Sequence, residues 1–223
     1  MVEMEIINLS QDNSVIGDII AELRSETVQR DRQKFRRNVE RVGELMAYEV
    51  SKRMNYSAKT VRTPLADATV NTIDDAIVIG TIFRAGLPFQ QGFLNIFDKA
   101  DCAFLSAARY YKDDESKQVA VKLDYLASPD LSDKTFILVD PMLATGGSLL
   151  AGYDAFCTKG TPARLHVCSL IASRHGVDVI TQRFAKQTNV TLWCAVIDDK
   201  LNEASYIVPG LGDAGDLSYG EKI

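Results

Sequence analysis

Ile137-Leu138-Val139-Asp140-Pro141-Met142-Leu143-Ala144-Thr145-Gly146-Gly147-Ser148 is the stretch on which the reading of this chain turns. An apolar, β-branched run stops at a carboxylate, a Thr-Gly-Gly-Ser turn follows, and Leu149 to Phe156 is compatible with a helix. Strand, loop, helix is the order of an α/β unit, whose ligand sits where strands end and helices begin. The glycines permit positive φ and a close backbone approach. Consecutive N–H groups at a helix N-terminus, with the Thr145 and Ser148 hydroxyls beside them, make a cradle for phosphate. Asp140 repels a phosphate, so it suits sugar hydroxyls or a metal-bound sugar phosphate. The loop is neither a Walker A loop, which needs Gly-Lys-Ser/Thr, nor the G-x-G-x-x-G dinucleotide fingerprint. A tight left-handed turn is the plain structural alternative. The carboxylate at the strand end and the flanking hydroxyls favour a phosphate-sugar site.

Outward from this loop, near-continuous apolar runs at 76–83, 103–107, 135–139, 165–172 and 191–196 read as strands buried on both faces. Helix-compatible segments at 87–97, 149–158 and 176–186 separate most of them, which predicts a parallel sheet with right-handed crossovers. Toward the N-terminus, 1–13 reads as an irregular or extended arm and 18–23 as a short helix. Phe35, Val39, Val42, Leu45 and Met46 mark an amphipathic helix within 27–54. The cationic row from Arg30 to Arg41 is read as a solvated face, with a subunit contact as the competing possibility. Residues 112–117 read as a solvated turn or flap. From about 198 onward Gly210, Gly212, Gly215 and Gly220 with Pro209 argue against regular helix or strand. The apolar Tyr206, Ile207, Val208 and Leu211 argue for an ordered loop over a ligand rather than a frayed tail.

At 223 residues, with 46% hydrophobic and 25% charged residues, one α/β domain over 1–223 is the natural expectation. The net charge of -5 argues against bulk nucleic-acid binding. Cys102, Cys157, Cys168 and Cys194 lack Cys-x-x-Cys spacing, so neither a zinc site nor a disulfide framework is implied. No signal-peptide core and no bilayer-length apolar run is found, so a cytoplasmic protein with no membrane association is expected. His166 reads as a satisfied core histidine and His175 as a turn cap.

The stretch Val139 to Ser148 resembles the phosphoribosyl-pyrophosphate (PRPP) loop of uracil phosphoribosyltransferases, in the Asp-Pro-Met-Leu version. Phe83-Arg84-Ala85-Gly86-Leu87 resembles that family's Arg-Ala-Gly-Leu loop, Arg109 falls where it places a second PRPP-binding arginine, and Tyr206 to Asp216 resembles its uracil-binding segment. The resemblance runs from about Thr27 to the C-terminus. It implies the type I phosphoribosyltransferase fold: a mainly parallel sheet flanked by helices, an N-terminal helical arm at about 14–55, and a base-binding hood at about 198–223.

The same resemblance assigns PRPP to Arg84, Arg109, Asp140, Pro141, Met142, Leu143, Ala144, Thr145, Gly146, Gly147, Ser148 and Asp213. It assigns uracil to Ile207, Gly212, Asp213 and Ala214, and makes Asp140 and Asp213 the candidate catalytic carboxylates. Pro141 stands where most type I enzymes have a second acid. Mg2+ is expected with PRPP, held mainly through its phosphates. A homo-oligomer and a GTP effector are expected from the family, and no direct metal ligands are assigned. The chain departs from the family pattern at Pro88-Phe89-Gln90-Gln91, at its Leu217 to Ile223 ending, and at Gly80-Thr81, where a Pro-containing strand end is usual. An RNA-binding pyrimidine regulator on the same fold, and an enzyme for another base, are the alternative functions.

Overall fold

The apolar runs and the amphipathic segments between them fold into one sheet with helices on both faces. A computed structural model describes residues 4–111 and 119–222. In chain order the elements are β1 (Glu5–Asn8), α1 (Val15–Arg24), α2 (Arg32–Ser51), β2 (Tyr56–Arg62), β3 (Asp67–Ile73), β4 (Ile77–Phe83), α3 (Gly86–Ile96), β5 (Asp101–Tyr111) and β6 (Val119–Ala127). They continue with β7 (Thr135–Val139), β8 (Met142–Leu143), α4 (Gly147–Phe156), β9 (Arg164–Ser173), α5 (Arg174–Phe184), β10 (Val190–Asp198), β11 (Lys200–Leu201), β12 (Ile207–Val208) and α6 (Ala214–Tyr219).

The main sheet has the order β1-β10-β9-β7-β4-β5-β6, with the short β8 also paired to β9. All its pairings are parallel except that of β5 with β6. Successive strand residues point to opposite faces. Ile79, Ile137, Val139, Leu170 and Trp193 therefore join the cluster built with α1, α2 and α3. Val78, Phe136, Leu138, Val167 and Leu192 join the cluster built with α4 and α5. Both faces being covered explains why the strands read as continuous apolar runs rather than alternating ones.

Local capping agrees with this layout. Ser14 accepts from the Ile16 N–H to open α1, and Asp31 accepts from the Lys34 N–H to open α2. On α2 the buried face is Phe35, Val39, Val42, Met46 and Val50, while Arg37 pairs with Glu40 and Glu44 on the outside. Cys168 and Cys194 are buried free thiols, and burial pushes Cys194 up to about 12. Among the described residues no helix is long and apolar enough to cross a membrane.

Four features differ from the sequence expectation. Part of the N-terminal arm is a strand, because β1 pairs in parallel with β10, Ile6 opposite Leu192. Residues 56–73 form an antiparallel hairpin of β2 and β3, mostly exposed and separate from the main sheet. β6 closes the other edge antiparallel to β5. The C-terminal segment holds regular structure, namely the β11–β12 pair and α6, because Asp213 caps a six-residue helix. The expected flap at 112–117 falls outside the described residues.

Candidate functional site

β4 is the point where the strand order turns: its neighbours are β5 on one side and β7 on the other. The register sets Thr81 beside Val139 and puts the ends of these two strands together. Arg84 follows one strand end and Asp140 the other, so the crevice of an open α/β sheet lies between these two residues' loops.

On the β7 side, Asp140 accepts from the Met142 N–H at 3.3 Å, and its own N–H donates to the Cys168 carbonyl. Pro141, Leu143 and Ala144 turn their side chains inward, so they offer a ligand only backbone groups. Thr145 and Ser148 are partly exposed at the mouth, and Gly147 is exposed at the first position of α4. Gly146 caps that helix at φ +80°, a left-handed conformation that suits glycine. No side chain caps α4 there, which leaves its first N–H groups directed toward the loop. Ser173, at the start of α5, donates its hydroxyl to the Ala144 carbonyl and accepts from the Gly176 N–H, bracing the loop from behind.

On the β4 side, Arg84 leads into α3. Its Nη2 donates to Asp216 Oδ1 at 2.6 Å and its Nη1 to the Gly220 carbonyl at 3.2 Å. The C-terminal segment therefore lies directly on this loop. Arg109 sits in β5, in register with Val121, and its side chain lies outside the described residues.

The C-terminal segment is anchored by Asp198 at the end of β10. This buried carboxylate takes Arg24 on Oδ1 at 2.8 Å and the Gly210 N–H on Oδ2 at 2.9 Å. On either side of that turn Ile207 and Ala214 are buried in the core, while Gly212 is exposed at φ +97°. The side chain of Ala214 thus faces the core rather than a ligand, and only the backbone here is available to one. Asp213 accepts from the N–H groups of Gly215 at 2.8 Å and Asp216 at 3.0 Å. Burial pushes its carboxyl up, but the Asp216 N–H, the Lys222 charge and the Gly215 N–H outweigh that, and it sits below the usual carboxylate range.

A cavity of about 480 Å³ borders the segment, walled by Gly212, Asp213 and Asp216 from one side and by Gln29, Arg30 and Arg32 from the other. Nothing in the local sequence marks Gln29, Arg30 or Arg32 for this wall, since a cationic row ahead of a helix reads as solvated. Arg36 also departs from that reading. It donates to the Ser218 carbonyl at 2.7 Å and lies over the Tyr219 ring. His166 accepts from Trp193 at Nδ1, but its Nε2 is buried without a partner among the described residues, so it is only half satisfied. His175 is exposed in the first turn of α5, whose cap is Ser173.

A mainly parallel α/β sheet with a glycine-containing strand-loop-helix turn at its turning point is the class that this fold defines. A family model for uracil phosphoribosyltransferase matches residues 10–220, and the chain belongs to that family. It is 51% identical over 220 residues to a uracil phosphoribosyltransferase of Porphyromonas gingivalis, covering 99% of this chain and 100% of that one. It is 36% identical to one of Methanothermobacter thermautotrophicus, over 94% and 93% of the two chains. The solved structure of the AQ2163 protein from Aquifex aeolicus superposes with a TM-score of 0.84 at 29% identity, covering 98% of this chain and 99% of that one.

Proposed function

We propose that this chain transfers the 5-phosphoribosyl group of PRPP to uracil, giving UMP and pyrophosphate. The bond from uracil N1 to C1′ forms, the bond from C1′ to the pyrophosphate oxygen breaks with its electron pair leaving on pyrophosphate, and the N1 proton passes to solvent. The observation that carries this reading is the meeting of the Asp140 and Arg84 loops at the ends of adjacent strands, with the C-terminal segment resting on Arg84. Three loops with three chemistries at one crevice match the three parts of the reaction.

The Ala144 to Ser148 backbone and the Thr145 and Ser148 hydroxyls hold the 5′-phosphate at the N-terminus of α4. Asp140 accepts from the ribose hydroxyls, each such charge-assisted bond contributing about 1.5–3 kcal/mol. Arg84, and Arg109 with it, bind the pyrophosphate through their guanidinium forks. The exposed backbone around Gly212 meets the base edge, with Ile207 and Ala214 shaping it from behind. Asp213, held acidic by its cap, is a poor proton acceptor and suits PRPP binding better than removal of the N1 proton.

Among the described residues no group of three or more His, Cys, Asp or Glu comes together as a metal cage. Mg2+ usually binds through substrate phosphates and keeps several waters, so it would enter on PRPP, where Asp140 would be the residue to accept from one of those waters. The metal supplies charge neutralisation for the leaving pyrophosphate. The family resemblance also brings a homo-oligomer, a GTP effector and a cytoplasmic location into this proposal.

The test is turnover of PRPP with Mg2+ and a panel of bases. UMP and pyrophosphate from uracil are expected. A purine nucleotide with no UMP would overturn the base assignment.

A further inference from the structure

Arg84 is held by the base segment. One edge of its guanidinium is taken by Asp216 at 2.6 Å and by the Gly220 carbonyl at 3.2 Å. Asp216 lies in the first turn of α6, and Gly220 ends that helix. Asp213, the carboxylate assigned to PRPP, caps the same helix and accepts from the Asp216 N–H itself. The helix is fixed from its other side by Arg36 on the Ser218 carbonyl, and from beneath by the buried Ala214. The guanidinium therefore takes its place from a helix that cannot shift independently of the base segment.

We propose that Asp216 is a positioning residue for PRPP. It aims the Arg84 guanidinium and ties the pyrophosphate half of the site to the base half. This rests on the reading of Arg84 given above. A guanidinium has five N–H donors in a rigid planar fork. Asp216 and Gly220 fix the plane from one edge and leave the remaining donors for pyrophosphate oxygens. The pair is about one-third exposed, at 35% for Arg84 and 30% for Asp216. Ion pairs at that exposure contribute little to stability, so orientation of the fork is the consequence that matters. Asp216 touches no substrate in this scheme and acts only through Arg84.

A double-mutant cycle tests it, with steady-state KM values for PRPP and uracil, kcat, and a thermal midpoint for each protein. Asp216→Asn is expected to raise the PRPP KM by about tenfold while the uracil KM stays within about twofold, a coupling of ordinary size for residues in contact. Arg84→Ala/Asp216→Asn is expected to be no worse toward PRPP than Arg84→Ala alone, and Asp216→Glu to recover part of the loss. If Asp216→Asn does not fold, Asp216→Glu against Asp216→Gln separates charge from shape, and the Glu variant must have the lower PRPP KM. Additive effects, an equal rise in both KM values, or a lower PRPP KM in Asp216→Asn overturns the proposal. Wild-type protein that consumes no PRPP with uracil removes the reading of Arg84 and this inference together. Active wild type with an additive cycle removes the inference alone.

Discussion

The Thr81 hydroxyl lies so close under Gly86 that a Cβ on Gly86 would overlap it. Thr81 is the β4 residue in register with Val139, one position before Asp140, so the Arg84 loop is seated against the strand pair that carries the site. Thr81 is fully buried, and its β-branched side chain has little rotamer freedom to move aside.

Gly86→Ala should therefore displace the Arg84 loop. Overpacking of this kind costs about 1–3 kcal/mol, and the PRPP KM should rise by about tenfold or more. Adding Thr81→Ala to the same chain removes the overlapping oxygen and should restore part of the affinity. Wild-type PRPP kinetics in a folded Gly86→Ala protein would show that the loop's seating on Thr81 does not matter to binding.

Asp140→Asn should leave the fold unchanged, because an amide oxygen can still accept from the Met142 N–H. It removes the charge that strengthens bonds to the ribose hydroxyls. Losing about 3 kcal/mol of transition-state stabilisation lowers the rate by roughly two orders of magnitude. The measurement is kcat/KM with circular dichroism as the folding control, and a value near wild type refutes the ribose role.

What was legible in the sequence was whatever local chemistry decides. The run Thr135 to Val139 is legible as a strand because it is short, largely apolar and bounded by Asp140-Pro141, and it lies buried between β4 and β9. The hairpin of β2 and β3 was not legible, since it faces little core and so shows little apolar alternation. β1 depends on its distant partner β10, a pairing that no four-residue stretch announces. α6 hides behind glycines and is opened by the Asp213 cap. Ala214 shows the limit at the site itself. Sequence places it in the base segment, but it does not say that the side chain faces the core. A Leu there would overpack the interior, so it tests packing rather than the base edge. Arg84 was legible as a cation at a strand end, whereas its bond to Asp216, 132 residues away, was not.

Asp198→Asn should weaken the base half selectively. The buried carboxylate joins Arg24 of α1 to the Gly210 turn. With the charge gone, Arg24 loses its partner, and hydrogen bonds to charged groups contribute about 1.5–3 kcal/mol. The thermal midpoint should fall by about 2–4 °C per kcal/mol for a chain of this size. The uracil KM should rise more than the PRPP KM, because the turn immediately precedes Gly212 in the base segment. Equal changes in both KM values would mean that Asp198 supports the whole molecule rather than the base segment.

His166 should make the protein less stable in mild acid. It is a buried residue of β9 whose Nδ1 accepts from Nε1 of Trp193, on the neighbouring β10, at 3.1 Å, and so its neutral form is the one the core accommodates. Burial pushes its pKa down to about 4, with the Arg164 charge in the same direction, Asp75 opposing and Arg53 adding to the depression. The unfolded chain keeps an ordinary histidine near 6.5. Between these two values the unfolded state binds the extra proton, so stability rises with pH across the window. It is undiminished by this group above about 6.5 and falls progressively toward pH 4. Two and a half units correspond to about 3 kcal/mol at most, and about 2 kcal/mol of that should be lost between pH 7 and pH 5. His166→Asn retains an oxygen able to accept from Trp193 and removes the titration. Urea unfolding of both proteins at pH 7 and pH 5 isolates the effect, since the carboxylates common to the two cancel in the difference. The wild type should lose about 2 kcal/mol more than the variant. Equal losses in the two proteins would mean that His166 takes up its proton in the folded state as readily as in the unfolded one.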